Sequence, residues 1–169
     1  MSQARRKQSP AGQLEAPRFE NGRALLVAGL RSHYTAQTMN NIPAQWQRFA
    51  PYLGKIPGQV GGAAYGVCWL LAEGIDYLSG VEFRSAAGVP SELGVVSIPA
   101  QKYAVFPHRE HISKLRETLD AIGHKGLPES GHEVARGGAE APAFFERYSE
   151  EFDPRSGMGG IEVWIPIKS

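Results

Sequence analysis

Short apolar runs alternate with turn residues along the chain, and their order in the first half predicts strand, helix, strand, strand. We expect these strands at residues 23–30, 63–71 and 76–84. Between the first two strands, Ile42, Trp46 and Phe49 recur at helical spacing, and Pro51 ends the helix they predict.

The second half repeats this order after a looser segment, residues 85–92, which we interpret as a linker. Its predicted strands lie at residues 93–98, 102–107, 143–148 and 160–167. Apolar residues at helical spacing predict an amphipathic helix: Ile112, Leu115, Leu119 and Ile122. Gly123 would end this helix, and residues 124–141 would form a polar loop. Residues 143–152 could instead be a short helix, but the repeated order favours a strand there.

The pattern therefore predicts an α+β fold of two strand–helix–strand–strand modules, at about residues 23–84 and 93–169. The modules would be related by a pseudo-two-fold axis, with antiparallel sheets, helices on one face and a ligand cleft between them. Residues 1–18 are rich in Ser, Gln, Arg and Pro and predict a disordered tail, so the folded domain would span residues 19–169.

Each module carries a glutamate in a similar strand motif. Gly-Val-Glu-Phe at residues 80–83 returns as Gly-Ile-Glu-Val 80 residues later, which places Glu82 and Glu162 at matching positions. A pseudo-dyad would bring both carboxylates towards the seam between the modules. Glu82 could also pair with Arg84, two residues further along the same strand face.

Strand alternation separates two kinds of side chain in the last strand. One face would carry aliphatic side chains towards the helix-covered core: Ile161, Val163, Ile165 and Ile167. Glu162 and Trp164 share the opposite face, where a carboxylate beside an indole would suit a delocalised cation. Alternation alone leaves another interpretation open, in which Glu162 points into solvent from a half-exposed sheet.

Composition and charge argue against several classes of function. The chain has 169 residues with 42% hydrophobic and 21% charged residues and a net charge of +1, so no global field attracts nucleic acid. Its single cysteine, Cys68, builds no disulfide framework and suits a reducing cytoplasm. No apolar stretch is long enough to span a membrane, and no signal peptide is evident. His108 and His111 flank Glu110 near a helix start, but a solvated helix entrance explains them better than a metal site. From the sequence we therefore expect that the protein binds neither a metal ion nor a cofactor.

From about residue 23 onwards, the chain resembles the GyrI-like family of small-molecule-binding domains, which includes effector-binding domains of AraC-type and MerR-type regulators. The matching segments are residues 46–49, 65–67, 77–83, 98–106, 127–131 and 161–167. The resemblance implies a fold of two such modules that binds bulky, hydrophobic, often cationic compounds through a buried glutamate on a late strand.

The family's site residues carry over to several positions of this chain. Glu162 lies in the matching motif of the last strand, so the resemblance assigns it the role of the buried glutamate. Aromatic or pocket-lining positions of the family match Trp164, Tyr65, Tyr103 and Trp46, and we add Phe49 of the Trp46 segment and Glu82.

No helix-turn-helix precedes the domain, so the sequence predicts a stand-alone binding protein, or a regulator whose DNA-binding part is missing. Direct nucleic-acid binding is therefore not expected. Two alternatives remain. One is a hydrolase of cyclopropane-type electrophiles, with Glu162 as general base assisted by Glu82 or Tyr103. The other is a protein partner, such as gyrase or a separate DNA-binding protein.

Overall fold

The computed structural model describes residues 14–85, 87–137 and 141–169. Eight strands form one antiparallel sheet in the order β1-β6-β8-β7-β3-β4-β2-β5. The strands are β1 (Arg18–Gly22), β2 (Leu25–Tyr34), β3 (Gln59–Leu70), β4 (Ile75–Phe83), β5 (Gly94–Ile98), β6 (Gln101–His108), β7 (Phe144–Tyr148) and β8 (Ile161–Pro166). The α-helices are α1 (Ile42–Phe49), α2 (Leu115–Ala121) and α3 (Leu127–Ser130).

The strand order has the symmetry that the repeat predicts. Strands β2, β3 and β4 with α1 form the first module, and β6, β7 and β8 with α2 form the second. In both modules the last strand lies in the middle, and the modules join where β3 pairs with β7. The predicted α+β fold is therefore confirmed. Residues 144–148 form a strand, as the repeat required, and not a helix.

The alternation predicted for the last strand is also confirmed. Ile161, Val163 and Ile165 are buried in one cluster with Leu115 and Ile122 of the helical segment. Burying a side chain of this size stabilises the fold by about 1.5–3 kcal/mol. Trp164 instead packs against a separate cluster on the opposite face of the sheet. The two faces of β8 therefore have different surroundings, and only one of them is covered by α2.

Strand β1 was not predicted. It begins at Arg18, within the segment interpreted as a tail, and pairs with β6 so that Arg18 lies opposite Val105. Phe19 is its only large apolar residue, and 44% of its surface is exposed. This edge strand therefore shows no apolar alternation in the sequence. Residues 1–13 of the predicted tail lie outside the described residues, as do residue 86 of the predicted linker and residues 138–140 of the predicted loop.

The prediction that Gly123 ends the second helix is wrong. The chain continues through a π-helical turn at Ile122–Gly126 into α3, and Gly131 follows α3 with a φ of 78°. A left-handed residue after the last turn is where glycine is favoured, because it has no Cβ. The extra turns carry Leu127 to the same apolar cluster as Ile122. Of the helices described, none is long and apolar enough to cross a membrane.

Candidate functional site

The structure divides the predicted site residues between the two faces of the sheet. Tyr65, Tyr103 and Trp164 lie on the face without α2, together with Glu162. The side chain of Glu82 also lies there, beside Arg23 of the same cleft. The remaining two residues, Trp46 and Phe49, belong to α1 on the helix-covered face. The sequence therefore combined residues that belong to two separate places.

The first place is an open cavity of about 420 Å³ beside β1, which we call the β1 cleft. Its lining includes Arg18, Tyr65, Tyr103, Arg147, Glu162 and Trp164. Its floor is aromatic: the ring of Trp164 stacks on Phe145 at 5.5 Å and 16°, and Tyr103 meets Trp164 edge-on at 5.3 Å. Such rings provide a wide apolar surface for a planar ligand.

Both oxygens of Glu162 already have partners in the β1 cleft. Trp164 Nε1 donates to Oε1 at 3.0 Å, and Arg18 Nη1 donates to Oε2 at 2.8 Å. The Arg18 guanidinium also lies 5.9 Å from the centre of the Trp164 ring. Burial alone would raise the pKa of Glu162, but the hydrogen bonds from Arg18 and Trp164 outweigh it and the pKa is lowered. Glu162 is therefore a half-buried carboxylate whose charge is already compensated.

Glu82 has a partner of its own in Arg23, just beyond the other end of β1. Arg23 Nη2 donates to Oε1 of Glu82 at 2.9 Å, and Nη1 donates to Oε2. The structure therefore pairs Glu82 with Arg23, not with Arg84. The two glutamates of the sequence repeat are thus each neutralised by an arginine next to β1.

The second place lies under α1, where the sequence analysis identified no carboxylate. Glu146 of β7 is buried, and its Oε1 accepts hydrogen bonds from the hydroxyls of Tyr77 at 2.6 Å and Tyr148 at 2.8 Å. Trp46 Nε1 donates to the Tyr77 hydroxyl at 3.1 Å. We call these four residues the Glu146 cluster.

Burial controls the charge of the Glu146 cluster. The pKa of Glu146 is raised because desolvation disfavours the carboxylate, and the two tyrosine hydrogen bonds only partly oppose this. Among the described residues, no Lys, Arg or His forms an ion pair with Glu146, and no donor is bonded to its Oε2. This arrangement costs stability whenever the carboxyl ionises without a partner.

Helix α1 forms the roof of the Glu146 cluster. Trp46 packs edge-on against Tyr148 at 5.5 Å and against Tyr77 at 6.4 Å. The preceding residue, Gln45, is fully buried and fixes α1 to the sheet: its Nε2 donates to the Leu30 and Tyr77 carbonyls, at 2.8 and 3.1 Å. The Trp46 ring is therefore held against the two tyrosines whose hydroxyls bind Glu146.

Sequence reasoning missed Glu146, although the signal was present. The signal lies in the alternation of side chains in the predicted strand at residues 143–148. Alternation would have placed Glu146 and Tyr148 together on the helix-covered face and Phe145 on the other. A glutamate that shares a covered face with aromatic residues is rarely explained by solvation.

His108 has a structural role. Nδ1 of His108 lies 2.7 Å from the Thr118 hydroxyl, and its Nε2 lies 2.9 Å from the His111 carbonyl, so both ring nitrogens have partners. In the part of the chain that the structure describes, no group of three or more His, Cys, Asp or Glu side chains is arranged to hold a metal.

Fold and cavities together define an α+β domain of two strand–helix–strand–strand modules with candidate sites on both faces of one sheet. Comparison with family models then identifies it: residues 15–168 match the GyrI-like small molecule binding domain, and the chain belongs to this family. The family resemblance found in the sequence is thereby confirmed.

One relative by sequence and two solved structures are similar to this chain. The transcriptional regulator BrlR of Pseudomonas aeruginosa is 30% identical over 146 residues, covering 85% of this chain and 52% of the regulator. The chain thus spans about half the length of that relative. The structure of SAV2435 bound to tetraphenylphosphonium has a TM-score of 0.73 and 21% identity, covering 92% of this chain and 95% of the other. A hydrolase from Listeria innocua has a TM-score of 0.54 and 10% identity, covering 99% and 98%. The two structures share the fold.

Proposed function

We propose that this domain binds bulky aromatic molecules that carry a delocalised positive charge, with Glu146 as the counter-charge. The observation that carries the proposal is a buried carboxyl beside Trp46, Tyr77 and Tyr148 that forms no ion pair with any cationic side chain in the described part of the chain. A buried, uncompensated acid with a perturbed pKa is more typical of a functional site than of a structural one.

A cationic ligand would supply what the cluster lacks. Two unit charges about 5 Å apart, at an effective dielectric constant near 20, attract by about 3 kcal/mol, or roughly 100-fold in affinity. The faces of Trp46 and the two tyrosines add cation–π attraction for a charge spread over a large ligand. The proposal agrees with the family's description as small-molecule-binding and with the tetraphenylphosphonium ligand of SAV2435.

Entry to this site requires movement of the roof. Because Trp46 is bonded to Tyr77 and packs against Tyr148, we expect a ligand that reaches the carboxyl between these tyrosines to displace the indole ring. Trp46 fluorescence is then expected to report binding directly. The other two tryptophans, Trp69 and Trp164, lie in the cluster on the opposite face and would be less affected.

Glu162 is the alternative counter-charge, as the sequence resemblance implied. A cation bound there would have to displace Arg18 from the carboxylate, which lowers the expected gain. The two sites can be separated by a matched pair of variants, Glu146→Gln and Glu162→Gln. Tetraphenylphosphonium and neutral triphenylphosphine oxide would be titrated into each variant at mildly alkaline pH by calorimetry.

We expect Glu146→Gln to weaken tetraphenylphosphonium roughly 100-fold and the neutral compound less than about threefold. Glu162→Gln should leave both affinities within about threefold of the unchanged protein. The reverse result would identify Glu162 as the counter-charge. Equal losses for the cation and the neutral compound in both variants would contradict charge pairing altogether.

A hydrolase remains the second candidate, now favoured by Glu146 more than by Glu162. A carboxyl with a raised pKa beside the Tyr77 hydroxyl has the properties of a general acid or base. Incubation with an electrophilic cyclopropane, with Glu146→Gln as control, should give hydrolysed product only in the unsubstituted protein. Absence of turnover would leave binding as the function. A cytoplasmic location, a protein partner such as gyrase and a separate DNA-binding partner stay predictions from the sequence.

A further inference from the structure

The carboxylates around the β1 cleft are already paired with cationic side chains. Glu162 is bonded to Arg18 and Trp164. Glu20 accepts from Arg18 Nε at 2.6 Å, and Glu82 is held by Arg23. A cationic ligand in this cleft would therefore have to break an ion pair before it could form one.

Arg147 is the charged side chain of the cleft that makes no direct contact with a partner among the described residues; it acts on Glu162 only through space, where its charge helps to lower the pKa of that carboxyl. Arg147 lies on β7 directly between Tyr65 of β3 and Glu162 of β8 in the strand register, and it lines the cavity. Its half-buried guanidinium has neither a hydrogen bond nor an ion pair with any residue that the structure describes. A guanidinium carries five N–H donors in a planar fork that matches a carboxylate. Among the described residues, the β1 cleft therefore lacks a hydrogen-bond acceptor for the Arg147 guanidinium.

We infer that the β1 cleft is a second ligand site, which takes a flat aromatic molecule bearing a compact anionic group such as a carboxylate. The anion would lie on Arg147, and the ring would lie over the aromatic floor formed by Trp164, Phe145 and Tyr103. The cavity of about 420 Å³ falls within the range of small-molecule pockets. Arg18 and Arg23 also line the cleft, but their charges are compensated by Glu20, Glu162 and Glu82, so the anion is assigned to Arg147 alone.

This site is independent of the one proposed for cations. Glu146 and Arg147 are consecutive residues of β7, so strand alternation directs them to opposite faces of the sheet. The two sites also prefer ligands of opposite charge. Failure of one proposal can therefore be recognised without reference to the other.

The test uses 2-naphthoate as the anionic aromatic probe and 2-naphthalenemethanol as its neutral counterpart. Binding of both is measured by calorimetry with the full chain and with Arg147→Gln. The matched control is Arg155→Gln, which removes the same group from an exposed position outside the cleft. Glu146→Gln is titrated in parallel.

We expect the unsubstituted protein to bind 2-naphthoate more tightly than the alcohol. Arg147→Gln should weaken 2-naphthoate roughly 10- to 100-fold, the effect of losing a charged hydrogen-bonded pair, and should leave the alcohol within about threefold. Arg155→Gln and Glu146→Gln should leave 2-naphthoate unchanged. Arg147→Lys keeps the charge but loses the planar fork, so it should give an intermediate loss.

A competition experiment needs no substitution and stays informative if Arg147→Gln does not fold. Protein saturated with tetraphenylphosphonium should still bind 2-naphthoate with unchanged stoichiometry. Competition between the probes would overturn the inference, because it would place both in one site. Absence of 2-naphthoate binding, or equal losses in Arg147→Gln and Arg155→Gln, would also overturn it.

Discussion

Binding of a cation at Glu146 should release a proton, and this is the sharpest quantitative consequence of the Glu146 cluster. In the free protein, burial raises the pKa of Glu146, so the carboxyl retains its proton to higher pH than an exposed glutamate does. A cation placed beside it favours the carboxylate and lowers that pKa again. Between these two pKa values, each ligand bound displaces up to one proton.

The structure limits the size of the effect. One carboxyl can lose at most one proton, so affinity can rise by at most about tenfold per pH unit, or about 1.4 kcal/mol. Other titratable groups near Glu146 do not contribute in this range, because burial raises the pKa values of Tyr77, Tyr148 and Cys68. The residues of α1 over the cluster, Gln45 and Trp46, do not titrate.

Calorimetry in two buffers of different ionisation enthalpy counts the released protons directly. Tetraphenylphosphonium should release a fraction of a proton that approaches one, and its affinity should rise with pH until the carboxyl of Glu146 is ionised in the free protein. Glu146→Gln should show no proton release and a flat profile. A flat profile in the unsubstituted protein, or the same slope in Glu146→Gln, would refute the reasoning.

Three further predictions concern the free protein. First, the raised pKa of Glu146 means that the folded state binds more protons than the unfolded state. The free energy of unfolding should therefore fall as the pH rises from the ordinary pKa of a glutamate through the raised pKa of Glu146. Urea denaturation should show this slope in the unsubstituted protein and not in Glu146→Gln. Second, Gly66→Ala should destabilise the fold by about 1–3 kcal/mol, because an added Cβ would overlap the Tyr77 hydroxyl and lie 2.7 Å from Glu146 Oε1. Gly123→Ala, where an added Cβ has no atom within 4 Å, should stabilise it by up to about 1 kcal/mol; a loss as large as that of Gly66→Ala would contradict the packing argument. Third, Tyr77→Phe should cost about 1–3 kcal/mol in thermal or urea unfolding, since both Trp46 Nε1 and Glu146 lose a partner, and an unchanged midpoint would contradict this.

Periodicity predicted most of the fold because most elements have one buried face. The aliphatic residues of β8 alternate clearly with polar or aromatic residues in the sequence, and in the structure they pack against α2. The repeat then predicted the strand at β7 correctly, where local propensity left a helix open. By contrast, β1 is an edge strand without alternation, and the π-helical turn depends on the packing of Leu127.

The charges of the candidate sites could not be predicted in the same way. Alternation indicates which face a glutamate occupies, but its partner comes from a distant part of the chain, as Arg18 does for Glu162. The assignment of Trp46 to the same pocket as Trp164 followed from family resemblance. Resemblance matches positions in the sequence, but it does not show on which face of the sheet a side chain lies. Only the tertiary structure shows that Glu162 is neutralised and Glu146 is not.

The residue opposite Glu146 leaves the space that the carboxyl occupies under α1. Gly66 pairs with Glu146 across β3 and β7, and any larger residue there would fill the space of the carboxyl and the Tyr77 hydroxyl. A shift of one residue in this register would exchange the faces of Glu146 and Arg147. It would bury a guanidinium under α1 and move the carboxyl to the β1 cleft beside Glu162. The space at Gly66 and the register of β3 and β7 together keep Glu146 under α1 and Arg147 in the β1 cleft, and both proposed ligand preferences depend on this arrangement.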